Sequence, residues 1–145
     1  MKKILAILAI GGLIISCVEK KEVKAETTSD EIPIDLTNKG VGPITAVEFG
    51  VEIDTEMAKE GENIFSTICV ACHMAEQRMI GPALKGVYER RSPEWVMNMI
   101  LNPDGMLKED PIAKALLKEY NNAIMLNQNL SEKDTRAIAE YLRTL

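Results

Sequence analysis

Residues 69–73 read Cys-Val-Ala-Cys-His and bring together two of the chain's three cysteines and its only histidine. Two thiols and an imidazole this close can serve four chemistries. A structural zinc site takes four ligands, usually Cys or His. Here a carboxylate would have to complete the set, because the third cysteine, Cys17, ends an apolar N-terminal run. A dithiol exchange site accompanies a βαβ pattern, and the residues around this motif show none. A buried disulfide would leave His73 without a role. The fourth chemistry is covalent haem attachment, whose signature is Cys-x-x-Cys-His. Cys69 and Cys72 would add across the two vinyl groups of one haem, and His73, directly after them, would reach the iron from the same face. Haem is the reading these residues favour.

The elements that must position the motif can be traced along the chain. It opens with Lys2 and Lys3, an apolar run from Ile4 to Ile15, then Ser16 and Cys17. A basic start, a short apolar core and a small residue describe an export signal too short for an ordinary membrane span. The stretch Ile14–Cys17 resembles the lipobox of bacterial lipoproteins. That resemblance implies cleavage before Cys17, lipidation of Cys17 and lasting membrane anchoring through several acyl chains. Residues 1–16 are then the signal and residues 17–40 a lipidated tether. The charged stretch 19–40 buries little and has a coil reach of ~25 Å. Without Lys2 and Lys3, 15 basic residues face 22 acidic ones, a net charge of −7. This argues against nucleic acid and for a positively patched protein partner.

Residues 41–53 read as extended chain or a short strand on the surface. A body over 54–145 follows, all-α in pattern. Asp54 or Thr55 caps a first helix with Met57, Gly61, Ile64, Phe65 and Ile68 along one stripe. Ser92-Pro93 and Asp110-Pro111 start helices over 92–101 and 110–120. Ser131 caps the last, 131–145, with Ala137, Ile138, Tyr141 and Leu142 inward. Loops are expected at 74–91, 102–109 and 121–130. So small a body is marginal on its own core, and a large apolar cofactor would help to fill it.

The stretches GENIFSTICVACH, GPALKGVYERR, and a methionine before NLSEKDTRAIAEYL together resemble a small class I c-type cytochrome over residues 54–145. The resemblance implies an all-α fold wrapped around one covalent haem c, with Cys69, Cys72, His73 and Pro82 among the cofactor-binding residues. It implies that Gly61 and Phe65 cross the last helix near Tyr141, and that Pro82 accepts a hydrogen bond from the second ring nitrogen of His73, fixing its tautomer. Gly81-Pro82 as a plain turn stays open beside this. Tyr88, Arg90, Arg91 and Trp95 stand where the family's propionate donors often lie, although Trp95 also suits an ordinary core.

With no second histidine, the opposite axial ligand is expected to be a thioether. Met74 and Met79 follow His73 too closely, and Met97 and Met99 fall in a helix where packing suits them better. Met106 and Met125 remain. The resembled family carries its methionine where Met125 stands, so Met125 is the expected iron ligand beside His73, with Met106 next. Leu126 replaces the family's usual following proline. Two filled axial sites imply an electron carrier in the cell envelope, with redox proteins and not small molecules as partners. The last 60 or so residues are also similar to monohaem lipoprotein cytochromes associated with nitrous oxide reductase, implying donation to a respiratory reductase. A terminal oxidase as acceptor, or an open-site gas sensor or peroxidase-like protein, is the alternative.

Overall fold

A computed structural model describes residues 32–145; the expected signal, the lipobox with Cys17 and most of the tether lie outside them. Among the described residues five helices form, α1 (Thr55–Ile68), α2 (Pro93–Leu101), α3 (Pro103–Glu109), α4 (Pro111–Glu119) and α5 (Glu132–Leu142), with single 3-10 turns at Cys69–Ala71 and Val87–Glu89. Among the described residues there is no strand, only an isolated bridge between Asp35 and Arg91. The all-α expectation is met.

Each helix starts where a short polar side chain captures an orphan backbone amide. Asp54 accepts from the Met57 amide, Ser92 from Trp95, Asp110 from Ala113 and Ser131 from Asp134. The expected loop over 102–109 is instead α3. Asn102-Pro103 repeats the cap-then-proline start of its neighbours, and Asn102 accepts from the Gly105 amide. Gly105 disguised this helix as a loop; its cost of about 1 kcal/mol relative to Ala is small beside the burial of Met106, which is fully enclosed.

The first and last helices cross tightly. A Cβ on Gly61 would sit 2.0 Å from the Ala137 carbonyl oxygen, so only glycine permits this approach. One turn on, Phe65 and Tyr141 pack with ring centroids 5.3 Å apart. Phe65, Trp95, Val96, Ile100, Met106, Ile112, Ile138 and Leu142 make the core. On α1 the fully buried positions are Ala58, Gly61 and Phe65, while Met57, Ile64 and Ile68 of the expected stripe are half-buried.

Residues 32–53 run as an irregular strap over α2 and α3, with no strand in 41–53, so of the two expectations there the extended chain and not the short strand describes it. The boundary expected at residue 40 falls inside it, because side chains of the body hold its backbone. The amide of Asn98 donates to the Lys39 and Ile44 carbonyls, both at 2.9 Å, and accepts from the Ile44 amide. Asn102 donates to the Val41 carbonyl, and Ser92 to that of Asn38. Farther along, Phe49 lies between the guanidinium groups of Arg136 and Arg143. Buried Glu140 accepts from the Asp54 amide, Arg136 and Arg143.

Candidate haem site

The Cys-x-x-Cys-His motif begins where α1 ends. The amides of Cys72 and His73 both return to the Cys69 carbonyl, at 3.1 and 2.9 Å, closing the tight 3-10 turn that sets the two cysteines and the histidine on one curve. Burial pushes the Cys69 thiol up to about 11, the reverse of the thiolate that a dithiol exchange site needs. Among the described residues, no cluster of three or more His, Cys, Asp or Glu side chains is arranged to hold a metal ion. Neither the zinc nor the exchange reading gains support.

His73 is oriented from both sides. Its Nδ1 lies 3.1 Å from the Pro82 carbonyl oxygen, which can only accept, so the proton sits on Nδ1 and the Nε2 lone pair is left for a metal. Gly81 backs the ring: a Cβ there would stand 2.4 Å from His73 Cε1. The Gly81 amide donates to the Cys72 carbonyl at 2.8 Å, binding this support to the motif. Gly81-Pro82 is thus more than a turn.

These residues open on a cavity of about 270 Å³, walled on one side by Cys69, Cys72, His73 and the run Ile80–Leu84. Core residues Phe65, Trp95, Val96, Ile100 and Leu142 form its floor, and Tyr120 and the run Ala123–Leu126, Met125 included, form the remaining wall. A predominantly apolar slot that gathers two thiols, an oriented imidazole and a thioether matches the donor set of a haem c. Met106 is elsewhere. Fully buried beneath the strap, it accepts the Val41 amide on Sδ at 2.9 Å, so the second-ranked methionine is a packing residue.

The expected propionate donors divide. Tyr88 does not line this cavity. Its hydroxyl donates to the Ala139 carbonyl at 2.8 Å and its ring meets Phe49 edge-on; burial raises its pKa above the ordinary tyrosine range. Trp95 lines the cavity with its ring, but its indole N–H is committed to Asp110 Oδ1 at 3.1 Å. Arg90 and Arg91 both line the cavity. The Arg90 fork donates to the carbonyls of Ala83, Lys85 and Gly86. Arg91 is 6% exposed and donates to those of Pro33 and Arg90. Burial, then the nearby Arg90 charge, lower the Arg91 pKa, a cost that an anion in the cavity would relieve.

Two contributors escaped the sequence reading. Asp110, legible only as a cap, also receives Trp95 and Asn38. Arg78, in the loop after the motif, reaches across to Glu119 and Tyr120. Neither partnership leaves a local signal, since both join residues distant in sequence.

Comparison with known proteins agrees with this geometry. The Cytochrome c family model matches residues 58–145. A cytochrome c from Rhodothermus marinus is similar over 71% of this chain and 88% of its own, with 47% identity and a TM-score of 0.69. An engineered form of that protein, bound to a carbene intermediate, matches over the same shares at 47% identity and a TM-score of 0.66. The cytochrome c domain of the pp3183 protein from Pseudomonas putida matches over 58% of this chain and 85% of its own, at 36% identity and a TM-score of 0.54. No curated protein matches the chain.

Proposed function

The chain belongs to the cytochrome c family, and from that premise we propose that it is a membrane-anchored monohaem carrier passing single electrons between redox proteins. Haem c, when bound, supplies a one-electron iron centre. Cys69 and Cys72 would hold it through thioether bonds, and His73 and Met125 would offer a nitrogen and a sulfur donor to its iron. The thioether raises the potential relative to harder ligands. The Pro82 carbonyl holds the His73 tautomer and increases ligand basicity, and the apolar floor excludes water. With His73 and Met125 both bound to the metal, a small substrate would have no place there, which favours a carrier over an open-site sensor or peroxidase.

The observation that carries this reading is that His73 and Met125 line one cavity while Met106 is spent beneath the strap. Spectra of the reduced protein with and without carbon monoxide test it. We expect no change on adding the gas to the wild type and ready binding in Met125→Ala; binding by the wild type would mean an open site.

Anchoring through lipid on Cys17, after removal of residues 1–16, fits the lipobox-like stretch, placing the haem domain in the cell envelope on the periplasmic side or the surface. Among the described residues no helix is long and apolar enough to cross a membrane. Cys17→Ala should release the haem protein into the soluble fraction; retention would put the anchor elsewhere. A respiratory reductase such as nitrous oxide reductase is the acceptor we favour, with a terminal oxidase as the alternative. Reoxidation rates of the reduced protein with each enzyme decide between them.

A further inference from the structure

The wall carrying Met125 is tied down at few points. The α4 helix ends at Glu119, and Asn121 and Asn122 take the left-handed conformation with φ of 55° and 59°. The Asn122 amide returns to the Leu117 carbonyl and that of Ala123 to Tyr120, so the turn is fixed on the end of α4. Beyond it, residues 124–130 make no backbone–backbone hydrogen bond among those described. Asn127 Nδ2 donates to the Leu101 carbonyl at 3.3 Å, so the position of Met125 is set by that one bond, by packing on the core and by where the end of α4 is held.

One side chain holds it from the loop that follows His73. Arg78 Nη1 lies 2.9 Å from Glu119 Oε1, Nη2 donates to the Glu119 carbonyl at 2.5 Å, and the guanidinium carbon stands 4.0 Å above the Tyr120 ring centroid. Among the described residues, these are the hydrogen bonds that join the loop 74–91 to the segment 117–130. A planar cation that engages a carboxylate, a carbonyl and an aromatic face at once is specified in position, unlike a single mobile surface ion pair. Tyr120 is itself a cavity wall, as is Ile80, two residues beyond Arg78. The contact thus joins the two ligand-bearing segments next to residues that line the slot.

We infer that Arg78 is a positioning residue for the sixth iron ligand: by fastening the end of α4 to the His73 loop, it sets how readily Met125 gives way to an outside ligand. The inference rests on Met125 being that ligand. Haem attachment, the orientation of His73 and the core packing do not use Arg78, so its loss should act on ligand exchange while leaving the fold intact.

The test is imidazole binding to the oxidised haem-loaded protein, read with the sulfur-to-iron charge-transfer band. Losing an ion pair together with a cation–π contact should tighten imidazole binding by roughly tenfold in Arg78→Ala. Arg78→Lys, which keeps the charge but not the fork, should fall between it and wild type. Lys85→Ala removes a comparable surface pair, Lys85–Glu76, confined to one wall, and should match wild type. Met125→Ala should abolish the band. A band that survives in Met125→Ala overturns the ligand reading and this inference with it. A band lost there, with Arg78→Ala binding imidazole like wild type or Lys85→Ala matching Arg78→Ala, overturns the inference alone.

Discussion

The two walls of the cavity are built in opposite ways. Around His73, backbone amides close on one another. Gly81 donates to Cys72, Leu84 to Met74 and Ala75, Lys85 to Ala75, and the Arg90 fork gathers three further carbonyls. Around Met125 the run 124–130 has no backbone–backbone bond and reaches the body through one side-chain bond, Asn127 to the Leu101 carbonyl, while Ile124 and Leu126 on either side of the methionine are 61% and 68% exposed. The difference teaches that one ligand is held by the fold and the other by the anchorage of its loop. Local stability follows the density of buried contacts and internal hydrogen bonds, so exchange at the iron should begin on the methionine side.

The sharpest way to break this comparison is to disturb the stitched wall. Gly81→Val would drive a branched side chain into the imidazole, and overpacking of that kind costs about 1–3 kcal/mol. We expect a collapse in the yield of haem-loaded protein together with that loss in denaturant melts. An unchanged yield would mean that the wall is not rigid.

A smaller effect is expected where the loose wall begins. Asn121→Ala places a residue without asparagine's local hydrogen bonding in a left-handed conformation, at a cost of about 1 kcal/mol. It should raise imidazole affinity more than it lowers the melting temperature.

Acid should also act on the scaffold behind the walls. Burial tends to raise the Glu140 pKa, but the Asp54 amide and the Arg136 and Arg143 guanidinium groups outweigh it and hold the carboxyl below the ordinary glutamate range. A lowered folded pKa contributes stability that is complete above the unfolded value and fades as pH falls through the folded one. Glu140→Gln should therefore be less stable than wild type at neutral pH and show a flatter acid limb in melting temperature. Parallel limbs would show that this carboxylate does not govern acid loss. The smallest effect belongs to Gln128→Ala, on an exposed stretch of the loose wall, with a change within about 0.5 kcal/mol.

The haem motif and most helix starts were legible because both are local. Cys69, Cys72 and His73 are set by spacing, and Asp54, Ser92, Asp110 and Ser131 each cap the amide three residues on. What escaped was long-range. Tyr88 and Trp95 looked like donors for an anion, but their partners, Ala139 and Asp110, stand 51 and 15 residues away. The strap's first part, up to residue 40, looked like tether because its charged residues bury little, whereas the strap's attachment comes from Asn98, Asn102 and Met106, more than 50 residues on. Met125 was separated from Met106 by resemblance, and the hydrogen bond from Val41 gives the physical reason Met106 is engaged elsewhere.

The attachment of that strap has a consequence for how its letters can drift. Asn98 and Asn102 grip carbonyls and an amide, groups that nearly every residue type presents alike. What they recognise is a path, and the spelling along it is largely free. The exceptions are Gly40, at φ 72°, and Gly42, where a Cβ would stand 2.3 Å from Asn98 Oδ1. In a library randomised across residues 39–45, those two positions should return glycine while the others accept wide replacement.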